Sequence, residues 1–316
     1  MTEDQTGARA RIGKRALIAA AIAGVVAVTG VAVVSAGVGV KTTGAGSGKA
    51  VVNCPGGMSR LGHEFNEEMS VFPFDPAVHV SDVYTVADDF FKVEAISFGP
   101  HAGTHLDVPN HFIEDGRSIE ELAAEEFVWP VYKIDVRGQS FTDNFVEVAD
   151  IEAYEAEHGK IKKGSLVVLQ TGAEQFWGLD GPGDARGTTP GQDKDGNPVV
   201  LADNTDDLFD FENAGFSGPA VQWMFDKRNI DGVGSDAYGP DAAGDEFFDA
   251  TYTTLLNDGV ALVAIANLDS VSVRKDVIIA SGVALSDGSG FSTDPIACHG
   301  KAKSGGDDDD GDDDDD

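Results

Sequence analysis

The sequence predicts an α/β fold, carried by a single domain over residues 51–304. Three observations point to it. The chain has 316 residues, 41% of them hydrophobic, which is enough for one continuous core. Strand-like and helix-like segments alternate along its second half, the pattern that lays helices on a largely parallel sheet. No internal repeat divides that succession into smaller units.

The elements follow in order. Residues 1–15 form a basic N-terminus with Arg9, Arg11, Lys14 and Arg15. Residues 16–40 carry no charge, and a hydrophobic helix of that length can cross a bilayer with its basic flank in the cytoplasm. A cleaved signal peptide is the competing reading, with Ser35, Ala36 and Gly37 as a cleavage region. Both export the domain, leaving it outside a cell membrane or secreted. Residues 41–50, "KTTGAGSGKA", read as a flexible linker.

Within the domain, Val83–Phe98 is rich in β-branched and aromatic residues and predicts one or two strands. Ser118–Phe127 predicts a helix, with Ser118 as cap and Glu121 three residues on. A strand at Val131–Val136, an acidic helix stopped by Gly159 and an apolar strand at Ser165–Thr171 come next. Residues 180–211 are a Gly- and Asp-rich insertion. Its "DKDGN" puts Gly196 at the fourth position from Asp193, where an EF-hand loop needs it at the sixth. A helix at Gly218–Asn229, the short strand "IDGVGSD", a helix–strand pair over Tyr252–Leu268 and a strand in "DVIIASGVAL" complete the alternation. Residues 305–316, "GGDDDDGDDDDD", repel one another and read as a disordered tail.

Charge and cysteine content bound the function. Acidic residues outnumber basic ones 55 to 22, a formal charge of −33, which argues against a nucleic-acid partner, since phosphate binding needs clustered Lys and Arg. In an oxidising compartment the two cysteines, Cys54 and Cys298, pair as one disulfide across the domain or stay as separate thiols.

Chemistry concentrates in "HAGTHLDVPNHF", His101 to Phe112, which holds three of the seven histidines. Gly103 and Thr104 argue against a helix interior. In an extended strand, His105 and Asp107 share a face, and Gly103 lets the backbone fold so that His101 joins them. Two imidazoles and a carboxylate suit zinc or manganese and leave positions for water and substrate, while His111 is placed to act as general acid or base. A hydrogen-bonded His-rich loop is the other reading of these residues.

The stretch resembles the H-x-G-T-H-x-D-x-P-x-H-F signature of the cyclase-like family, which includes bacterial kynurenine formamidases and isatin hydrolases. "RLGHEFNEEMSVFPFDP" looks like that family's opening "DLSHP…PVWPGDP", and "IKKGSLVVLQTG" looks like its "IPPGDIVLLRTG". The resemblance runs from about Leu61 to Ala297. It implies a swivelling β/β/α arrangement, homo-oligomeric assembly, and hydrolysis of a C–N bond in a small-molecule amide or lactam. It implies His101, His105 and Asp107 as metal ligands, His111 as catalytic and Phe72 as a substrate-pocket aromatic. Asp236 resembles a family segment beside the pocket and is either a carboxylate that orients a ligand or a turn residue.

One departure stands out. Formamidase-type members take further ligands from a His and from the Glu of an "ENL" segment, but "DEFFDATYTTLLNDGVALVAIANLDS" contains no His and reads "ANL" with Ala266. A single metal is then expected, with Asp245, Glu246 or Asp249 as substitute ligands. A relative that binds a ligand without catalysis is the alternative.

Overall fold

The computed structural model describes residues 53–72, 75–177, 189–192, 198–201 and 212–300. The predicted segments at 1–15, 16–40 and 41–50, most of the insertion, and the tail at 305–316 lie outside the described residues. Among the described residues no helix is long and apolar enough to cross a membrane.

The strands in chain order are β1 (Met58–Arg60), β2 (His79–Tyr84), β3 (Val93–Ser97), β4 (His105–Asp107), β5 (Val128–Asp135), β6 (Phe145–Val146), β7 (Leu166–Gln170), β8 (Thr189–Gln192), β9 (Pro198–Leu201), β10 (Gly215–Phe216), β11 (Gly232–Ser235), β12 (Val260–Val263), β13 (Val277–Ile279), β14 (Gly290–Ser292) and β15 (Ile296–Cys298). Nine of them form one sheet in the order β1-β15-β13-β5-β7-β11-β12-β4-β14. Its middle, β5-β7-β11-β12, is parallel, and both flanks are antiparallel.

Three helices make the crossovers of the parallel part: α1 (Val148–His158), α2 (Gly218–Arg228) and α3 (Asp249–Leu256). The strand order advances in one direction, so right-handed crossovers put all three helices on one face. The buried residues divide accordingly. Tyr132, Ile134, Val167, Leu169 and Val233 pack with Ile151, Val221, Met224 and Ala250 from the helices. The alternate strand positions Val131, Leu166, Val168 and Leu262 pack on the other face with Leu106 of β4, Ile278 of β13 and Ala297 of β15. Residues from both flanks share that second cluster, so the sheet curls around it.

The observed fold is thus mixed α/β with a curled sheet. Ser118–Phe127 is two 3-10 turns, Ile119–Glu121 and Ala124–Phe127, where one helix is predicted. The strand expected in "DVIIASGVAL" is confined to Val277–Ile279.

The ends of the domain are fastened together. Cys54 and Cys298 form a disulfide, and β1 pairs with β15 beside it. Ser59 Oγ lies 2.8 Å from His299 Nε2, and His299 Nδ1 lies 2.9 Å from Asp276 Oδ2, so a hydrogen-bonded chain crosses three strands. The residue types match a hydrolytic triad. The backbone N–H groups of Gly56, Gly57, His299 and Gly300 beside it all donate to other oxygens, so they offer no oxyanion site, and the relay acts as a clasp.

Candidate metal centre and active site

On β4, Leu106 enters the inner core, so His105 and Asp107 project to the helix side of the sheet. Two glycines make the surrounding geometry possible. Gly103 has φ +71, and its carbonyl accepts a hydrogen bond from His105 Nδ1 at 2.7 Å. Gly290 of β14 packs so close to His101 that a Cβ there would lie 2.9 Å from its Cε1. His101 is thereby held with Nδ1 at 2.7 Å from Asp107 Oδ1 and Nε2 at 2.8 Å from Ser289 Oγ. His111 ends the 3-10 turn Pro109–His111 and stacks on His101, ring centroids 3.9 Å apart. One ligand atom from each of His101, Asp107 and His111 lies within 4.8 Å of the others. His105 Nε2 stands 3.3 Å from Asp107 Oδ1.

The donor set fits a cation. Because His105 Nδ1 donates to a carbonyl, its neutral ring turns a bare lone pair on Nε2 toward a carboxylate oxygen. Two acceptors facing each other in a buried site require a proton or a metal ion between them. Burial alone lowers the His105 pKa, but the Asp107 carboxylate outweighs it and raises the net value. Burial likewise pushes Asp107 up, and the two imidazoles outweigh it and hold the carboxyl well below its ordinary range. His111 differs: burial pushes it down to about 4, with Asp107 opposing, so it is a neutral imidazole near pH 7.

These groups face a cavity of about 220 Å³. All four predicted residues of the signature, His101, His105, Asp107 and His111, meet there, and Phe72 lines the same space. Asp236 sits elsewhere. Its carboxylate accepts from Thr171 N, Thr171 Oγ1 and Gly172 N at 2.7–2.8 Å, securing the end of β7. Asp245, Glu246 and Asp249 do not line the cavity; Asp75, Asp241 and Thr251 do. Burial raises the Asp75 pKa against the pull of His101 and His105. Burial also pushes Asp241 up to about 6, although it accepts hydrogen bonds from Thr251 N and Oγ1.

Asp75 and Asp241 are the functional candidates that sequence reasoning missed. Asp75 lies in "VFPFDP", inside a stretch the family resemblance covers, so a signal was present. Asp241 follows β11 and reaches the cavity only because the crossover to α3 returns over the ends of the parallel strands, where open α/β sheets build their sites. A larger cavity, about 860 Å³, opens among Arg60, Phe65, Met69 and Ser281–Val283. None of the four signature side chains reaches it, so the smaller cavity is the candidate site. His63, on its border, stacks on Trp177, and burial pushes its pKa down to about 4.

The Cyclase family model matches residues 59–242. Isatin hydrolase of Roseibium aggregatum is 29% identical over 236 residues, covering 71% of this chain and 81% of that protein. Among solved structures, an isatin hydrolase bound to the product analogue thioisatinate is similar with a TM-score of 0.63 and 24% identity, over 77% of this chain and 92% of that one. Isatin hydrolase A of Ralstonia solanacearum is similar with a TM-score of 0.61 and 23% identity, over 76% and 90%. These likenesses show the shared fold, and the family match spans more than half the chain, including β4 and the His–Asp cluster around it. The chain therefore belongs to the cyclase family of metal-dependent hydrolases.

Proposed function

We propose that the protein hydrolyses a C–N bond, in an amide, N-formyl or lactam group, of a small molecule. The observation that carries the reading is the buried cluster of His101, His105 and Asp107, with His105 Nε2 3.3 Å from Asp107 Oδ1, on a cavity that His111 also lines. The similarity to isatin hydrolase supports it. In this reading His101, His105 and Asp107 hold zinc or manganese. Such an ion supplies Lewis acidity, which polarises the scissile carbonyl and acidifies water.

The chain's own groups do the rest. The Gly103 carbonyl fixes the His105 tautomer, and Ser289 orients His101. His111, neutral near pH 7, accepts a proton from the attacking water and returns it to the leaving nitrogen. Phe72 forms part of the apolar wall. The carboxylates of Asp75 and Asp241 nearby make the surroundings harder than an all-imidazole site, which favours manganese over zinc.

The test separates ligand from base. His105→Ala is expected to lose the metal, measured by elemental mass spectrometry, together with hydrolysis. His111→Gln is expected to keep about one metal per chain and to lose on the order of 10²–10⁴-fold in kcat. A metal-loaded wild type that is inactive on an amide, lactam and ester panel would instead establish a ligand-binding module.

The reading includes export, either with the domain outside a membrane that the 16–40 segment crosses or by secretion. The Cys54–Cys298 disulfide supports it, since such bonds persist in oxidising compartments. It also includes homo-oligomeric assembly. Supporting this, the β2–β3 hairpin stands apart from the nine-stranded sheet, with Val83, Phe90 and Ile96 exposed by 50%, 80% and 56%.

A further inference from the structure

Phe248 has φ +53 and ψ +47, a left-handed backbone. For a bulky side chain this conformation is an outlier, and it persists only where the surroundings impose it. Here they do so through one carboxylate. Asp245 Oδ1 accepts from Phe247 N at 3.0 Å and Oδ2 accepts from Asp249 N at 2.9 Å, so Asp245 grips the residues on either side of Phe248. Phe247 is left 76% exposed, while the Phe248 ring turns into the cavity.

There it completes an aromatic wall. Phe248 makes edge contacts with Phe72 and Phe112, at centroid separations of 6.3 and 6.2 Å, and Phe72 meets Tyr238 at 6.1 Å. These spacings lie in the outer part of the roughly 4.5–7 Å range of aromatic pairs, so the rings surround a space rather than fill it. Phe72, Phe112 and Phe248 are each between a third and two-fifths exposed, and all three border a cavity whose floor is the His–Asp cluster. Its volume of about 220 Å³ lies below the roughly 300–1,000 Å³ of drug-sized sites. A polar floor, aromatic walls and that size describe a flat one- or two-ring compound with a single group to be hydrolysed.

We propose that Phe248 is the specificity-determining residue of the cavity, selecting flat aromatic acyl compounds over puckered aliphatic ones, and that Asp245 is its positioning residue. The inference rests on the hydrolase reading for the location of the reacting group, and on the Phe248 geometry for the selectivity. Phe248 is the ring that touches both Phe72 and Phe112, so its loss opens the wall at its centre. A purely structural role makes the opposite forecast: glycine relieves the backbone strain, stabilises the turn and leaves selectivity alone.

The experiment uses the full chain loaded with manganese and two carboxylate probes, 2-aminobenzoate and cyclohexanecarboxylate, which share the anchoring group and differ in flatness. Wild type is expected to bind the flat probe at least about tenfold more tightly in calorimetry, the worth of one or two aromatic contacts. Phe248→Gly is expected to reduce that ratio to within about twofold with little change for the aliphatic probe, and Phe248→Tyr to restore it. Asp245→Ala, with Phe248 intact but released, is expected to lower the ratio in the same direction. Thermal melting of each variant confirms folding. An unchanged ratio in a folded Phe248→Gly protein, or a wild type without preference, would overturn the proposal. Failure to turn over any amide or lactam while the binding ratio holds would sink the hydrolase reading alone.

Discussion

Asp241 is buried and held by two hydrogen bonds from Thr251, neither of them from a charged donor. Its folded-state pKa of about 6 lies above the roughly 4 of an unfolded aspartate, so between those values the folded chain binds the extra proton. In metal-free protein this group makes stability fall by about 3 kcal/mol as pH rises from about 4 to about 6. Asp241→Asn is neutral and still able to pair with both Thr251 groups, and it is expected to remove that fall. Urea unfolding of both proteins at pH 4.5, 5.5 and 7 checks it; parallel curves would refute the assignment. The same scale shows what the sequence makes legible. His101, His105, Asp107 and His111 lie within eleven residues, so local geometry decides their convergence. Asp75, Tyr238 and Asp241 join them only through the paths of two other segments, one before β2 and one between β11 and α3, which residue spacing cannot encode.

Among the elements, α1 and α2 are joined by a forked ion pair in which Arg228 Nε and Nη2 each donate to an oxygen of Glu155 at 2.5 Å. The pair is largely buried, with side chains 17% and 7% exposed, and the guanidinium also lies over Trp223. Burial alone raises the Glu155 carboxyl, but the Arg228 hydrogen bonds outweigh it and lower the net pKa. Its stabilising contribution is present above the unfolded value, roughly 4.3, and is lost as pH falls through the lower folded value. Arg228→Met is expected to cost about 3 kcal/mol at pH 7, from the stranded buried charge, and distinctly less at pH 3, where Glu155 is protonated. An equal loss at both pH values would show that packing, not charge, is what Arg228 supplies.

The parallel strands and their crossover helices are legible because their apolar periods are long and cleanly bounded. The stretch Ser118–Phe127 is not. Its capping signal is real, since Glu121 accepts from Ser118 N, but Glu126 repeats the device on Ala123 N. Leu122, with ψ 135, is extended between the two turns. Two short turns bring Ile119 and Leu122 into the inner core before β5 starts at Val128, a tertiary demand that helical spacing does not reveal.

For the molecule as a whole, the disulfide spans 244 positions, and closing so long a loop restricts the unfolded chain most. Cys54→Ser with Cys298→Ser is expected to lower stability by about 2–4 kcal/mol in denaturant titration without changing metal content. The linkage also decides where tension can act. A pull on the chain ahead of Asn53 and beyond His299 runs through one sulfur–sulfur bond and bypasses the nine strands between. The disulfide closes residues 54–298 into a covalent ring, so the cluster of His101, His105, Asp107 and His111 inside it bears none of that load until the bond is reduced.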